Sequence, residues 1–222
     1  TGSFIKEREL SLMNQVCEQH SLALIADEVF SDYAFSEERD RVKSFATNEE
    51  ALTFTLGGLS KGAGLPQMKL AWMVVSGPAK LRDNAIARLE VIADTYLSLN
   101  TPSQNALAHW LQLVPGIQKE IMTRLLSNRG FLIEQTKRPH FQEQGVEYLA
   151  SEGGWYAILR LPDHLDEEEF VLTLLESEHL LVHPGYFFDF EKEGYIVLSL
   201  LPPTEEFKEG IDLNKIIGNM DI

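Results

Sequence analysis

Three apolar runs of strand length, Leu22 to Ala26, Leu52 to Leu56 and Leu70 to Val75, alternate with stretches of helical periodicity at Lys6 to His20 and Leu81 to Ala93. Helices and strands that alternate along a chain pack as a sheet with helices on its faces, and ligands of such sheets gather at strand ends. Two of the strand ends carry reactive groups. The first run closes on Asp27-Glu28, and the second leads into Gly57-Gly58-Leu59-Ser60-Lys61-Gly62-Ala63-Gly64-Leu65-Pro66, read as a glycine-rich turn that holds a lysine among small residues.

At 222 residues and 44% hydrophobic composition the chain can bury one large core or two smaller ones. Its 19 basic and 34 acidic residues give a formal charge of −15, which disfavours phosphate backbones and anionic membranes, so no nucleic-acid or membrane partner is expected. Cys17 is the single cysteine and falls in the periodic stretch Leu10, Met13, Val16, Cys17. It reads as a small buried hydrophobe in a reducing compartment, with no disulfide framework or cysteine zinc site. No apolar run is long enough to span a bilayer and no basic, apolar signal segment opens the chain, so the cytoplasm is the expected location.

The second half reads differently. Thr101-Pro102 marks a helix start, and Pro115-Gly116 is expected to interrupt it before a further helical stretch from Ile117 to Lys137. Strands are expected at Trp155 to Leu161, Leu180 to His183 and Tyr195 to Leu200, around a helix from Asp166 to Glu178, with a last helix near Glu205 to Ile217. These form a smaller α+β lobe, dividing the chain into domains 1–125 and 126–222. There is no internal repeat.

An amine and an acid delivered from strand ends suit a cofactor with a carbonyl and a ring nitrogen. Pyridoxal 5'-phosphate (PLP) is such a cofactor: a lysine carries it as a Schiff base and an acid holds its pyridinium N–H. Taken singly, Lys61 also reads as a solvated loop lysine, and Asp27 as a strand-end carboxylate or a helix cap.

The set Ala26-Asp27-Glu28-Val29-Phe30, Ser60-Lys61 with Gly64-Leu65-Pro66, and His183-Pro184-Gly185 with Phe188 resembles the class I/II aminotransferases of PLP fold type I in order and spacing, Lys61 following Asp27 by 34 residues. The resemblance implies an α/β fold: part of the PLP-binding large domain, with a mixed, mostly parallel sheet and flanking helices, followed by a smaller C-terminal α+β domain. Thr1-Gly2 matches the end of the family's Asn-Pro-Thr-Gly motif, so the chain is expected to be truncated within it and to lack the phosphate-gripping loop and the stacking aromatic. By itself it is expected to be inactive and to hold PLP weakly.

The resemblance also assigns residues. Lys61 would bind PLP covalently and move the proton at the substrate Cα, and Asp27 would keep the pyridine nitrogen protonated. Ser60 and Lys69 would bind the phosphate, Lys69 standing where the family has an arginine and so keeping the charge without the bidentate fork. Ser98 falls where the family reaches a partner subunit's phosphate. Phe30 replaces a tyrosine that donates to the cofactor's 3'-oxygen, filling the space without donating. Val197 occupies the place of the arginine that clamps the substrate carboxylate, and Arg160, closing another strand of the same lobe, is the candidate replacement; it also reads as an exposed strand-end arginine. Glu28 and His183 read equally as structural residues.

The implied activity is transfer of an amino group between an amino acid and a 2-oxo acid, by a homodimer. The altered carboxylate clamp leaves open a PLP-dependent β-eliminating lyase, and the effector half of an aminotransferase-like transcription regulator, which would carry a basic DNA-binding domain upstream.

Overall fold

The computed structural model describes residues 2–96 and 99–211. They form two compact units, one of Ser3–Lys119 and the other of the residues from Glu120 on together with Gly2.

In the first unit, α1 (Glu7–His20) precedes β1 (Leu24–Asp27), β2 (Thr53–Gly58), the single helical turn α2 (Leu59–Gly62), β3 (Ala71–Ser76) and α3 (Ala79–Tyr96). Helix α1 starts on a reciprocal cap in which the Lys6 N–H donates to the Glu9 carboxylate at 2.8 Å, and stops at Ser21 in the left-handed conformation. Its inner face meets the sheet through Cys17, buried with Leu24 and Ala51. Beside this apolar contact lies a buried polar one. Asn14 and Asn48 exchange side-chain hydrogen bonds at 3.1 and 2.9 Å, and Asn48 also donates to the Thr53 hydroxyl at 2.9 Å, so α1 is registered against the start of β2.

The sheet order is β1-β2-β3, with β1 parallel to β2 and β2 antiparallel to β3. The expectation of a mostly parallel sheet is therefore corrected for these strands: the pairings divide evenly. After β2 the chain turns back within α2 and a 3-10 turn, and the Leu59 N–H bonds the Leu70 carbonyl at 3.0 Å. So short a return suits an antiparallel partner, whereas a parallel one needs a longer crossover.

Helix α4 (Thr101–Thr136) begins on the side chain of Asn100, which accepts the Ser103 N–H at 2.8 Å. It runs through Pro115, correcting the expected break. Proline forfeits one backbone bond and crowds the preceding turn, but the backbone is held on both sides of it. Val114 packs on the Leu59 cluster, and Gln118 is bonded to Asp32 and to the Gly62 carbonyl.

In the second unit, α5 (Pro139–Glu143), β4 (Glu147–Leu149), β5 (Tyr156–Arg160), α6 (Glu167–Glu178), β6 (His183–Pro184), β7 (Tyr195–Ser199) and α7 (Thr204–Gly210) build a four-stranded antiparallel sheet ordered β4-β5-β7-β6. Ala157, Leu159, Ile196 and Leu198 of its strands are buried, as are Phe170 and Leu174 of α6, which contacts β7. Asn128 of α4, fully buried, donates to the carbonyls of Leu200 and Pro202 at 2.9 Å each and fixes the exit of β7. The strand expected at Leu180 to His183 shrinks to β6. His179 closes α6 in the left-handed conformation and the Leu180 N–H is taken by the Leu174 carbonyl, so those residues finish a helix. The expected last helix is α7, and its continuation toward Ile217 lies outside the described residues.

Candidate active site

Asp27 ends β1 and sits opposite Leu56 of its parallel neighbour β2, which runs on to Gly58 and the turn that carries Lys61. Both residues thus leave the C-terminal end of the parallel pair. The glycines before Lys61 are strand residues and not the expected turn. Gly57 pairs with Trp72, and a Cβ there would come within 2.4 Å of the indole Nε1, so the position demands glycine for close approach.

A four-residue helix cannot sustain itself, and α2 is held by its buried side and by bonds to its carbonyls. Leu59 and Ala63, four residues apart, are both buried and pack with Leu70; Leu107, Trp110 and Val114 of α4 cover this cluster. The carbonyls that so short a turn leaves over are also met. The Tyr33 hydroxyl donates to the Lys61 carbonyl at 2.6 Å, and the Gln118 amide donates to the Gly62 carbonyl at 3.0 Å while bonding Asp32 at 2.8 Å. Tyr33 is fully buried, and its phenol is pushed up to about 12, first by burial and then by the charge of Asp32. The hydroxyl therefore stays a donor throughout the neutral range.

Lys61 itself is half-buried, with its ammonium 5.9 Å from the centroid of the Phe30 ring. Asp27 is exposed and one of its oxygens accepts the Val29 N–H at 3.1 Å, an Asx-type turn that aims the carboxylate along the chain's exit from the sheet. Glu28 has a structural task. Its carboxylate accepts the Phe45 N–H and, at 2.9 Å, the Ser44 hydroxyl, capping the 3-10 turn Phe45–Thr47. Ser60 is half-buried on α2. Lys69 is exposed and closes the turn Pro66–Met68 in a left-handed conformation, φ 51°, that a lysine rarely adopts. Ser98 lies outside the described residues.

In the second unit, Val197 is buried at the centre of β7, opposite Ile158 on one side and His183 on the other. Arg160 is exposed and engaged by acids, with Asp163 at 3.3 Å and Glu147 at 3.9 Å. To hold a carboxylate of a ligand it would have to leave them. Sequence reasoning missed Tyr33, Asp32 and Gln118. Tyr33 follows Phe30 by one helical turn's spacing, but Gln118 gives no local signal.

The model of aminotransferase class I and II matches residues 1–212. The chain belongs to that family. Its members work with PLP. Curated relatives include the alanine aminotransferase of Mycobacterium tuberculosis, 27% identical over 221 residues, covering 96% of this chain and 50% of that protein. Another is the glutamate-pyruvate aminotransferase AlaA of Escherichia coli, 26% identical, covering 94% and 52%. Among solved structures, the alanine aminotransferase of Pyrococcus furiosus superposes with a TM-score of 0.82 at 21% identity, covering 100% of this chain and 55% of that one. The chain thus has a partial aminotransferase fold and spans about half the length of the relatives it matches. No helix among the described residues is long and apolar enough to cross a membrane.

Proposed function

We propose that the whole protein is a PLP-dependent aminotransferase that moves an amino group between an amino acid and a 2-oxo acid, with Lys61 and Asp27 as its working pair. The reading is carried by one observation: Lys61 stands on a turn anchored by buried residues at the same strand ends as Asp27. These residues fit the cofactor in kind, since the amine matches its aldehyde and the exposed carboxylate its ring N–H.

When bound, PLP supplies an electron sink for negative charge at the substrate Cα. Lys61 would hold the cofactor covalently and, freed by the substrate amine, would carry the proton from the substrate Cα to the cofactor's C4′; the ring of Phe30 lies 5.9 Å from this amine. Asp27 would hold the ring nitrogen protonated. Lys69 would supply charge to the phosphate and the Ser60 hydroxyl a hydrogen bond. Ser98 would reach the phosphate of a second subunit in a homodimer. Arg160, released from Asp163, would be the carboxylate-binding residue.

The test is reduction of the PLP-loaded full-length protein with borohydride, followed by peptide mass spectrometry. The pyridoxyl group is expected on Lys61 and to be lost in Lys61→Ala. Its appearance on another lysine overturns the assignment.

A further inference from the structure

A lysine that carries a cofactor's aldehyde and an acid that meets its ring nitrogen are not independent. The ring is rigid and bears the two groups at opposite ends, so amine and carboxylate must keep one separation, and an error of about 1 Å at a reacting group costs on the order of a hundredfold in rate. The sheet sets this separation only in part. Asp27 is the last residue of β1, whereas Lys61 stands beyond the end of β2, on α2.

Residues 27–33 close the gap. The segment is bonded within itself: the Val29 N–H donates to the Asp27 carboxylate at 3.1 Å, the Ser31 N–H to the Glu28 carbonyl at 2.9 Å and the Tyr33 N–H to the Phe30 carbonyl at 3.0 Å. Its far end meets the lysine twice. The Tyr33 hydroxyl donates to the Lys61 carbonyl at 2.6 Å, and the Phe30 ring lies 5.9 Å from the ammonium. The ring contact is near the outer limit of a cation–π interaction, whereas a hydrogen bond of that length is directional, so the hydroxyl is what orients the turn. The next carbonyl, that of Gly62, is tied to the same segment indirectly: the Gln118 amide donates to it at 3.0 Å and to Asp32 at 2.8 Å.

We propose that Tyr33 is a positioning residue for Lys61: its hydroxyl ties the segment that begins at Asp27 to the lysine's own carbonyl and so sets the separation of amine and acid, with Asp32 and Gln118 as a second tie one residue on. The proposal rests on the reading in which Lys61 and Asp27 hold PLP, and it assigns the hydroxyl a task that the buried ring of Tyr33 does not perform.

The test mixes the full-length, cofactor-free protein with PLP, quenches at intervals with borohydride and measures the pyridoxyl label on Lys61 by peptide mass spectrometry. In the labelled step the neutral amine adds to the aldehyde carbon and the aldehyde oxygen leaves as water; borohydride then delivers hydride to the carbon of the C=N bond and the nitrogen takes a proton from water. Tyr33→Phe, which keeps the ring, should lower the limiting first-order rate at saturating PLP by about tenfold and leave the half-saturating concentration unchanged. Methylation of Lys61 by formaldehyde and cyanoborohydride engages no acid and should proceed at the native rate, whereas altered exposure or basicity of the amine would move both reactions. In an Asp27→Ala background the effect of Tyr33→Phe should disappear, as coupling between two placed groups requires. Gln118→Met, at a half-buried position of α4, should lower the same limiting rate by a smaller factor. An unchanged limiting rate in either variant, an equal fall in the formaldehyde reaction, or an undiminished effect in the Asp27→Ala background would each overturn the proposal with the label still on Lys61. A label on another lysine of the native protein would instead overturn the assignment of Lys61 itself, and this proposal with it.

Discussion

Replacing Tyr33 by phenylalanine removes one oxygen from a fully buried side chain and with it the 2.6 Å bond to the Lys61 carbonyl. The net loss of such a bond is about 0.5–1.5 kcal/mol, and the carbonyl it abandons costs up to about 1–3 kcal/mol if no water replaces the phenol. Because α2 is half open to solvent, a loss of about 1–2 kcal/mol is expected near neutral pH. The same variant should behave differently in alkali. The phenol is raised from 10.0 to about 12 in the folded chain, so the protonated form is favoured by folding. Its contribution is fully present below the unfolded value of 10.0 and is lost as pH rises through about 12. Two pH units correspond to about 2.7 kcal/mol. Urea denaturation followed by tryptophan fluorescence should therefore show the native chain losing about 2–3 kcal/mol more than Tyr33→Phe across this window. The two curves should converge or cross there. Parallel losses in both proteins, or a variant as stable as the native chain at neutral pH, would refute the role given to this hydroxyl.

Three further outcomes are expected. Lys69→Met should weaken PLP binding to the full-length protein by about 1.5–3 kcal/mol while Lys69→Arg retains or tightens it; equal affinities in a titration would reduce the residue to a surface charge. Glu167 is 2% exposed and accepts the N–H groups of Tyr186, Gly194 and Tyr195 at 3.1, 2.7 and 2.7 Å. Glu167→Ala orphans three donors and should cost about 3–5 kcal/mol, read from tryptophan fluorescence during unfolding; a change below about 1 kcal/mol would mean water substitutes freely. On the proposed placement of Val197 at the family's carboxylate-binding position, a substrate panel on the full-length protein should not return aspartate and glutamate as its two best amino donors, and that pair at the top would defeat the expectation.

The elements were legible where apolar periodicity was long, as in α1, β2, α3 and β7, each found within a few residues of its expected span. Failures have local causes. Gly57 and Gly58 suggested a turn because glycine is common there, but the indole of Trp72 needs the bare backbone of a strand. Pro115 suggested a break because the sequence does not reveal the contacts at Val114 and Gln118 that hold its helix together. Strand β4 has three residues, too few for a pattern to form. Lys61 and Asp27, the proposed pair, stood out because a lysine and an acid at strand ends are unusual in sequence. The supports of its turn did not: Tyr33 reaches the Lys61 carbonyl from 28 positions away and Gln118 the Gly62 carbonyl from 56, separations that only folding brings together.

The borrowed order of α2 has a kinetic corollary. The amides of Ala63 and Leu65 both bond the Leu59 carbonyl, at 3.0 and 3.1 Å, and in an isolated turn they would exchange with solvent almost as fast as in an unfolded peptide. Here they can exchange only when Leu59, Ala63 and Leu70 part from Leu107 and Trp110. The protection of two backbone hydrogens then becomes a clock for the lysine's surroundings. It would register a loosening of α4 at a distance, before any change could be seen in the side chain of Lys61 itself.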